Sequence, residues 1–286
     1  MDIRALIMGL SFVLMWSSAF TSARIAVAYA SPLLLLSVRF LISGLLAMAI
    51  AKMLGQKISL TRKQWLAVAL FGLLQNGVYL GANFVAMQWI EAGLAAIIAS
   101  LLPLLVALLS WIFLKEKLPA MGVFGLFAGL VGVLIIMWSR ISGGADITGV
   151  LLGFMGVGAL SIATLLVRGA IGSGNVLMVV GLQMLVASAA LFPASLAFET
   201  WHIEWTWQLG VAFAYTTIVP GVLATLIWFL LVRRIGAVRA SSFHFLNPFL
   251  GVAIAAVVVG ESLSLQDVMG VLVITLGIIA VQLSKR

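Results

Sequence analysis

Hydrophobic positions in this chain run in long unbroken stretches separated by short polar interruptions. Splitting at the charges and turn residues leaves ten apolar segments. They lie at approximately 4–23, 33–51, 66–88, 93–113, 121–138, 148–167, 175–197, 209–231, 240–259 and 268–284. Each is about 20 residues, the length a helix needs to cross the hydrocarbon core of a bilayer. The apolar runs are continuous rather than alternating, which excludes a β-barrel. The predicted fold is an all-α integral membrane protein with ten transmembrane helices. Most connections are under ten residues by this count, so no separate soluble domain fits and function must lie within the bundle. Asp2 and Arg4 precede the first run, and Ala28–Tyr29–Ala30 resembles a signal-peptidase site. Arg24 interrupts the stretch before it, and the run is long for a signal sequence, so the segment is read as a retained first helix.

Composition sharpens this picture. Of the 286 residues, 64% are hydrophobic and 8% charged, against roughly half and a quarter in soluble domains. A soluble domain, a disordered chain and a nucleic-acid partner are excluded; the +8 net charge is too thinly scattered for a nucleic-acid surface. With no cysteine, two histidines and eight carboxylates, no metal or other cofactor is expected. The basic residues also set the orientation. With the N-terminus cytoplasmic, thirteen Lys and Arg fall inside and only Arg24 and Arg140 outside, with Arg39 inside the second span. By the positive-inside rule both termini are cytoplasmic.

The chain also repeats itself. A shift of 145 places Pro103 on Pro248, Glu116 on Glu261, Gly125 on Gly270, Gly132 on Gly277 and Ser139 on Ser284, among ten identities over 45 positions. Near the start of each half the shift is 144, with Gly9 on Gly153, Ser17 on Ser161 and Arg24 on Arg168. Each half, 1–140 and 146–286, carries five spans, and an odd number inverts the second half. Inverted repeats are typical of secondary transporters, whose substrate site lies near the midplane between the halves.

Several motifs then resemble a known family. They are Trp16-Ser17-Ser18-Ala19-Phe20, Ser31-Pro32 through Arg39-Phe40, Phe113-Leu114-Lys115-Glu116-Lys117-Leu118, and the repeated Pro248, Gly260-Glu261-Ser262-Leu263, Gly270 and Gly277. In order and spacing the chain resembles the drug/metabolite transporter superfamily, its ten-helix EamA-type exporters, and within these the YddG-type aromatic amino acid exporters. Ser17 departs from the pattern, since many members have Gly after the Trp. The resemblance implies export of amino acids and related small metabolites across a bacterial inner membrane by a protein expected to act as a monomer. A purine or other metabolite permease of the same fold is the alternative.

Intramembrane polar groups are costly unless partnered or facing water, which makes them candidates for contact with substrate. Asn76, Tyr79 and Asn83 share one arc of the third span, with Gln75 on its flank. They either bond between helices or line a cavity, and three on one face favour the cavity. Trp16 and Phe20 give the first span an aromatic face suited to stacking, with Ser17 beside them. Ser161 and Thr164 are weaker candidates because hydroxyls often bond within their own helix. His244 and Asn247 sit next to Pro248 in the ninth span; Pro103, Pro220 and Pro248 are candidate hinges, since proline frees a carbonyl and lets a helix bend. Arg39 either attracts a substrate carboxylate or snorkels and pairs structurally, and the structural role is the simpler reading.

No Asp or Glu falls at the middle of any span. This speaks against organic cations and towards neutral or zwitterionic solutes. It leaves His244 as the only intramembrane group expected to titrate near neutral pH, so transport is either facilitated or weakly coupled through it. A lipid-modifying enzyme is the reading from another class, and its only footing is the outer-loop cluster Glu199, His202 and Glu204.

Overall fold

In the computed structural model the described residues are 3–115, 119–142, 144–166, 175–235, 243, 246–262 and 264–284. They are all-helical apart from one isolated antiparallel bridge between Ala30 and Ile203. The runs are α1 (Ile3–Val27), α2 (Pro32–Met53), α3 (Arg62–Phe71, Gly72–Leu80 and Gly81–Ala86), α4 (Ala92–Ala99 and Leu102–Leu114), α5 (Ala120–Ser142) and α6 (Ile147–Leu166). They continue as α7 (Val176–Phe198), α8 (Trp207–Thr216, Thr217–Ala224 and Thr225–Ile235), α9 (Asn247–Val259) and α10 (Leu265–Ser284).

Seven of these, α1 to α4 and α6 to α8, are long and apolar enough to cross a membrane. The stretches 120–136, 247–259 and 265–280 are shorter apolar helices. The molecule is a multi-pass membrane protein. Part of the ninth predicted span, 240–242 with His244 and Phe245, lies outside the described residues. Several helices begin earlier than the apolar pattern suggests, because their first turns are polar and capped. Thr61 and Gln64 form a reciprocal capping box at α3, Thr206 caps α8, and Ser264 with Asp267 does the same at α10.

Two features recur at the internal shift. The middle of α3, Gly72–Leu80, and the middle of α8, Thr217–Ala224, are both π-helical, and Thr217 stands 145 positions after Gly72. Both α4 and α9 end on a left-handed residue, Lys115 (φ 53) and Gly260 (φ 72). Each donates its N–H to a carbonyl five residues back, Ser110 and Ala255 respectively. Helices in lipid associate through close packing of small residues, since lipid tails are as apolar as leucine. Two pairs show this. In α5 and α10, a Cβ on Gly132 would meet the Gly270 carbonyl oxygen at 2.8 Å, and one on Gly277 would meet that of Gly125 at 2.6 Å. In α2 and α7, which run antiparallel, Gly44 faces Gly181, while the Ser37 hydroxyl donates to the Ser188 carbonyl (3.2 Å) and the Ser188 hydroxyl to that of Ser37 (2.9 Å).

Four helix starts are held by side-chain acceptors, three of them from distant parts of the chain and one, Asp146, from just before its own helix. Glu199 accepts from the Leu33 and Leu34 N–H groups at the start of α2, at 2.7 and 3.0 Å. Glu261 accepts from Ala92 and Gly93 at the start of α4, at 2.6 and 2.8 Å. At α7 the Gln56 side chain accepts from Met178, and at α6 Asp146 accepts from Thr148 and Gly149. These acceptors satisfy donors that a helix start otherwise leaves open.

Candidate functional site

A cavity of about 680 Å³, counting the space at its open mouth, lies where α1, α2, α3, α7 and α8 converge. The first helix contributes Trp16 and Phe20, and α2 contributes Arg39 and Phe40. From the π-helical part of α3 and the turn beyond it come Gln75, Asn76, Tyr79 and Asn83. Gln183 and Met184 of α7 and Pro220, Gly221 and Thr225 of α8 complete the polar and bent parts of the wall. π-helical turns are rare and often mark functional sites. Here both widened stretches border the same space.

Local chemistry explains how the wall is held. Pro220 has no N–H to give to the Thr216 carbonyl four residues back. That carbonyl accepts from Arg39 Nε at 3.1 Å, and the neighbouring Thr217 carbonyl accepts from Ser43 Oγ at 3.1 Å. The Arg39 guanidinium sits 5.3 Å from the Phe40 ring centroid and 5.7 Å from that of Phe84, within cation–π range. Asn83 Nδ2 donates to the Tyr79 carbonyl at 2.8 Å, while Asn83 Oδ1 and Gln183 Nε2 are buried without a hydrogen-bond partner.

The sequence-derived candidates divide by position. Trp16, Phe20, Asn76, Tyr79, Asn83 and Pro220 all line the cavity. Ser17 is fully buried and donates to Asn247 Oδ1 at 3.2 Å, joining α1 to the start of α9 away from the cavity wall. The Ser161 and Thr164 hydroxyls donate to carbonyls of their own helix, Val157 and Leu160. Pro103 and Pro248 stand in the first turns of the helical segments that begin at Leu102 and Asn247, so α4 is interrupted at Ser100–Leu101 rather than bent in mid-helix. His244 lies outside the described residues.

Arg39 is bonded within the bundle, to the Thr216 carbonyl, but it does not snorkel. It is only 4% exposed and turns inward to the cavity, where snorkelling would carry it to the membrane surface. Gln183 was missed altogether. It is a single amide in the otherwise apolar run of α7, and the cost of a lone polar group in a span was the signal available to find it. In the outer loops His202 Nε2 lies 3.1 Å from Glu204 Oε1, but Glu199 is committed to the start of α2. Among the described residues no group of three or more His, Cys, Asp or Glu is arranged to hold a metal ion.

Apolar helices enclosing a central, partly polar cavity suit a membrane transporter. The comparisons with known proteins show that class. The model of the EamA-like transporter family matches twice, over residues 3–138 and 147–283, and the chain belongs to that family. It is 26% identical over 275 residues to the uncharacterized transporter YvbV of Bacillus subtilis, covering 96% of this chain and 90% of that one. It is 28% identical over 277 residues to the uncharacterized inner membrane transporter YedA of Escherichia coli, covering 95% and 88%. An uncharacterized transporter of Archaeoglobus fulgidus is 27% identical over 272 residues. A solved crystal structure, 20% identical, aligns with a TM-score of 0.69 over 98% of this chain and 96% of its own, a likeness of fold.

Proposed function

We propose that this protein exports amino acids, aromatic and other neutral or zwitterionic ones, and related small metabolites across a bacterial inner membrane. Ten crossings, both termini cytoplasmic, form two inverted halves, 1–140 and 146–286, that rock about the cavity as it opens alternately to each side. The protein works as a monomer without a cofactor. The coarser statement, a multi-pass membrane transporter, rests on the family match and the spans. The recurrence of π-helical middles, left-handed helix ends and glycine contacts at the internal shift supports the two inverted halves. The resemblance to YddG-type exporters supports the substrate class and the direction.

One observation carries the substrate reading. The cavity wall combines the rings of Trp16, Phe20, Phe40, Tyr79 and Phe84 with amide side chains, and among the described residues it contains no Asp or Glu. Rings stack on apolar or aromatic solutes, and amides bond polar backbones. An organic cation would find no counter-charge there. The test is a counterflow screen with reconstituted protein, using amino acids, purines and amphiphilic cations. Amino acids are expected to exchange. Exchange of purines alone would move the protein to the metabolite-permease alternative.

A further inference from the structure

The cavity holds a positive charge that the protein does not neutralise. Arg39 forms no ion pair among the described residues, and no carboxylate lines the cavity around it. An unpaired charge inside a membrane is expensive, so such groups face a partner or a pathway. Snorkelling does not relieve it, because the side chain is buried. Instead the protein holds the guanidinium in place by its back edge. Nε donates to Thr216, and the rings of Phe40 and Phe84 flank the group. The Nη2 end points towards Gly221, where a Cβ would stand 3.7 Å away, at ordinary van der Waals distance. Guanidinium N–H groups form a planar fork that matches a carboxylate in two parallel bonds.

Two further groups of the same wall lack partners. Gln183 Nε2 is a buried donor and Asn83 Oδ1 a buried acceptor, and their residues are 3% and 1% exposed. An unsatisfied buried polar atom is costly, so both are suited to a ligand that supplies the missing bonds. The charge count then separates the two ends of an amino acid. Its carboxylate neutralises Arg39. Its ammonium finds no anion in the wall, only neutral acceptors such as Asn83 Oδ1.

We propose that Arg39 is the carboxylate anchor of this cavity, so that the cargo must carry one carboxylate on an apolar or aromatic body and needs no ammonium group. Small monocarboxylates lacking the amino group, such as 2-hydroxy acids, are therefore cargo alongside amino acids. This inference rests on the transport reading above and narrows it.

The experiment is counterflow in proteoliposomes at neutral pH with four solutes sharing one ring and chain: phenylalanine, 3-phenyllactate, phenylalanine amide and phenethylamine. Phenylalanine and phenyllactate should exchange at comparable rates, with the amide and the amine at least tenfold slower. Arg39→Gln should remove exchange of both acids at least tenfold, and Gln183→Leu should raise KM more than it lowers the maximal rate. If Arg39→Gln does not yield monodisperse protein, the four-solute series on the unaltered protein decides alone. Exchange of the amide or the amine at the rate of phenylalanine overturns the anchor while leaving amino acid export standing. Exchange of phenylalanine without phenyllactate overturns the claim that the ammonium is dispensable. Exchange of purines with neither acid removes this inference and the amino acid reading together.

Discussion

At Gly277 there is no room for a methyl group. A Cβ there would sit 2.6 Å from the Gly125 carbonyl oxygen and 2.7 Å from the Gly129 nitrogen, both backbone atoms that cannot rotate away. Gly277→Ala must push α5 and α10 apart, and overpacking of this kind costs roughly 1–3 kcal/mol. Gly158, inside α6, is the control, since a Cβ there meets nothing within 4 Å. Gly158→Ala should hold or raise stability by about 0.5–1 kcal/mol through helix propensity. Thermal unfolding of the two purified variants in detergent should move in opposite directions; equal shifts would refute the packing account. The recurring glycines, Gly125 with Gly270 and Gly132 with Gly277, were legible in the sequence, and interfaces in lipid select for small residues. The individual contacts were not. Gly129 packs against the Leu104 side chain, and Gly132 against the backbone at Gly270. Arg39 was legible as an intramembrane charge with two possible roles, and the choice between them was not, because hydropathy cannot say which way a side chain points. The Thr216 carbonyl of the neighbouring α8, far away in sequence, holds it inward.

Helix starts supply predictions at the next scale. Glu261 satisfies two N–H groups of α4 from the far end of α9, and Glu199 does the same for α2 from beyond the end of α7. Removing such an acceptor leaves open donors at a positive helix end, worth about 0.5–2 kcal/mol. Glu261→Ala and Glu199→Ala should each lower thermal stability by that order, with Gln substitutions in between because the amide keeps one acceptor. A Gln as damaging as Ala would show that charge, not acceptor geometry, holds the junction. Asp146 has its own signature in pH. Its carboxyl is held below the ordinary aspartate value, first by the Gly149 N–H, with desolvation opposing and hydrogen bonds from Thr148 adding to the lowering. A depressed value means the stabilisation is complete above the unfolded-state pKa and is lost as pH falls through the folded one. The difference in melting temperature between unaltered protein and Asp146→Ala should therefore shrink on acidification below the normal aspartate range. A gap that stays constant down to that pH would show that ionised Asp146 is not the cap. Element existence was readable from apolar length, but the helix starts capped by Thr61, Thr206 and Ser264 were not, because the apolar pattern begins only after their polar first turns. The π-helical middles of α3 and α8 were not, because an i→i+5 bond leaves the same run of apolar residues as an i→i+4 bond. The π-helical stretch of α3 carries Gln75, Asn76, Tyr79 and Leu80, all of which line the cavity.

For the whole molecule, the decisive question is whether the two halves part. The loop after α1 and the loop after α7 meet at the Ala30–Ile203 bridge, with Ser31 N–H donating to the His202 carbonyl and Glu204 N–H to that of Tyr29. This pattern makes Ala30 and Ile203 a non-hydrogen-bonded antiparallel pair. Such pairs have Cα atoms about 4.5 Å apart, inside the range a disulfide can span. The chain has no cysteine of its own, so Ala30→Cys with Ile203→Cys creates a single cross-link between residues of the first and second halves. Rocking about the central cavity requires loops on one face to separate in one of the two states. A transporter whose loops are held at that face keeps the cavity closed to that side, however well it binds its cargo. Oxidation of the double variant should slow counterflow at least tenfold, and a reductant should restore it, while each single variant should respond to neither. Undiminished exchange with the disulfide fully formed would show that this face stays together throughout the cycle. The motion would then have to be carried by the π-helical middles of α3 and α8 moving locally, with the halves fixed.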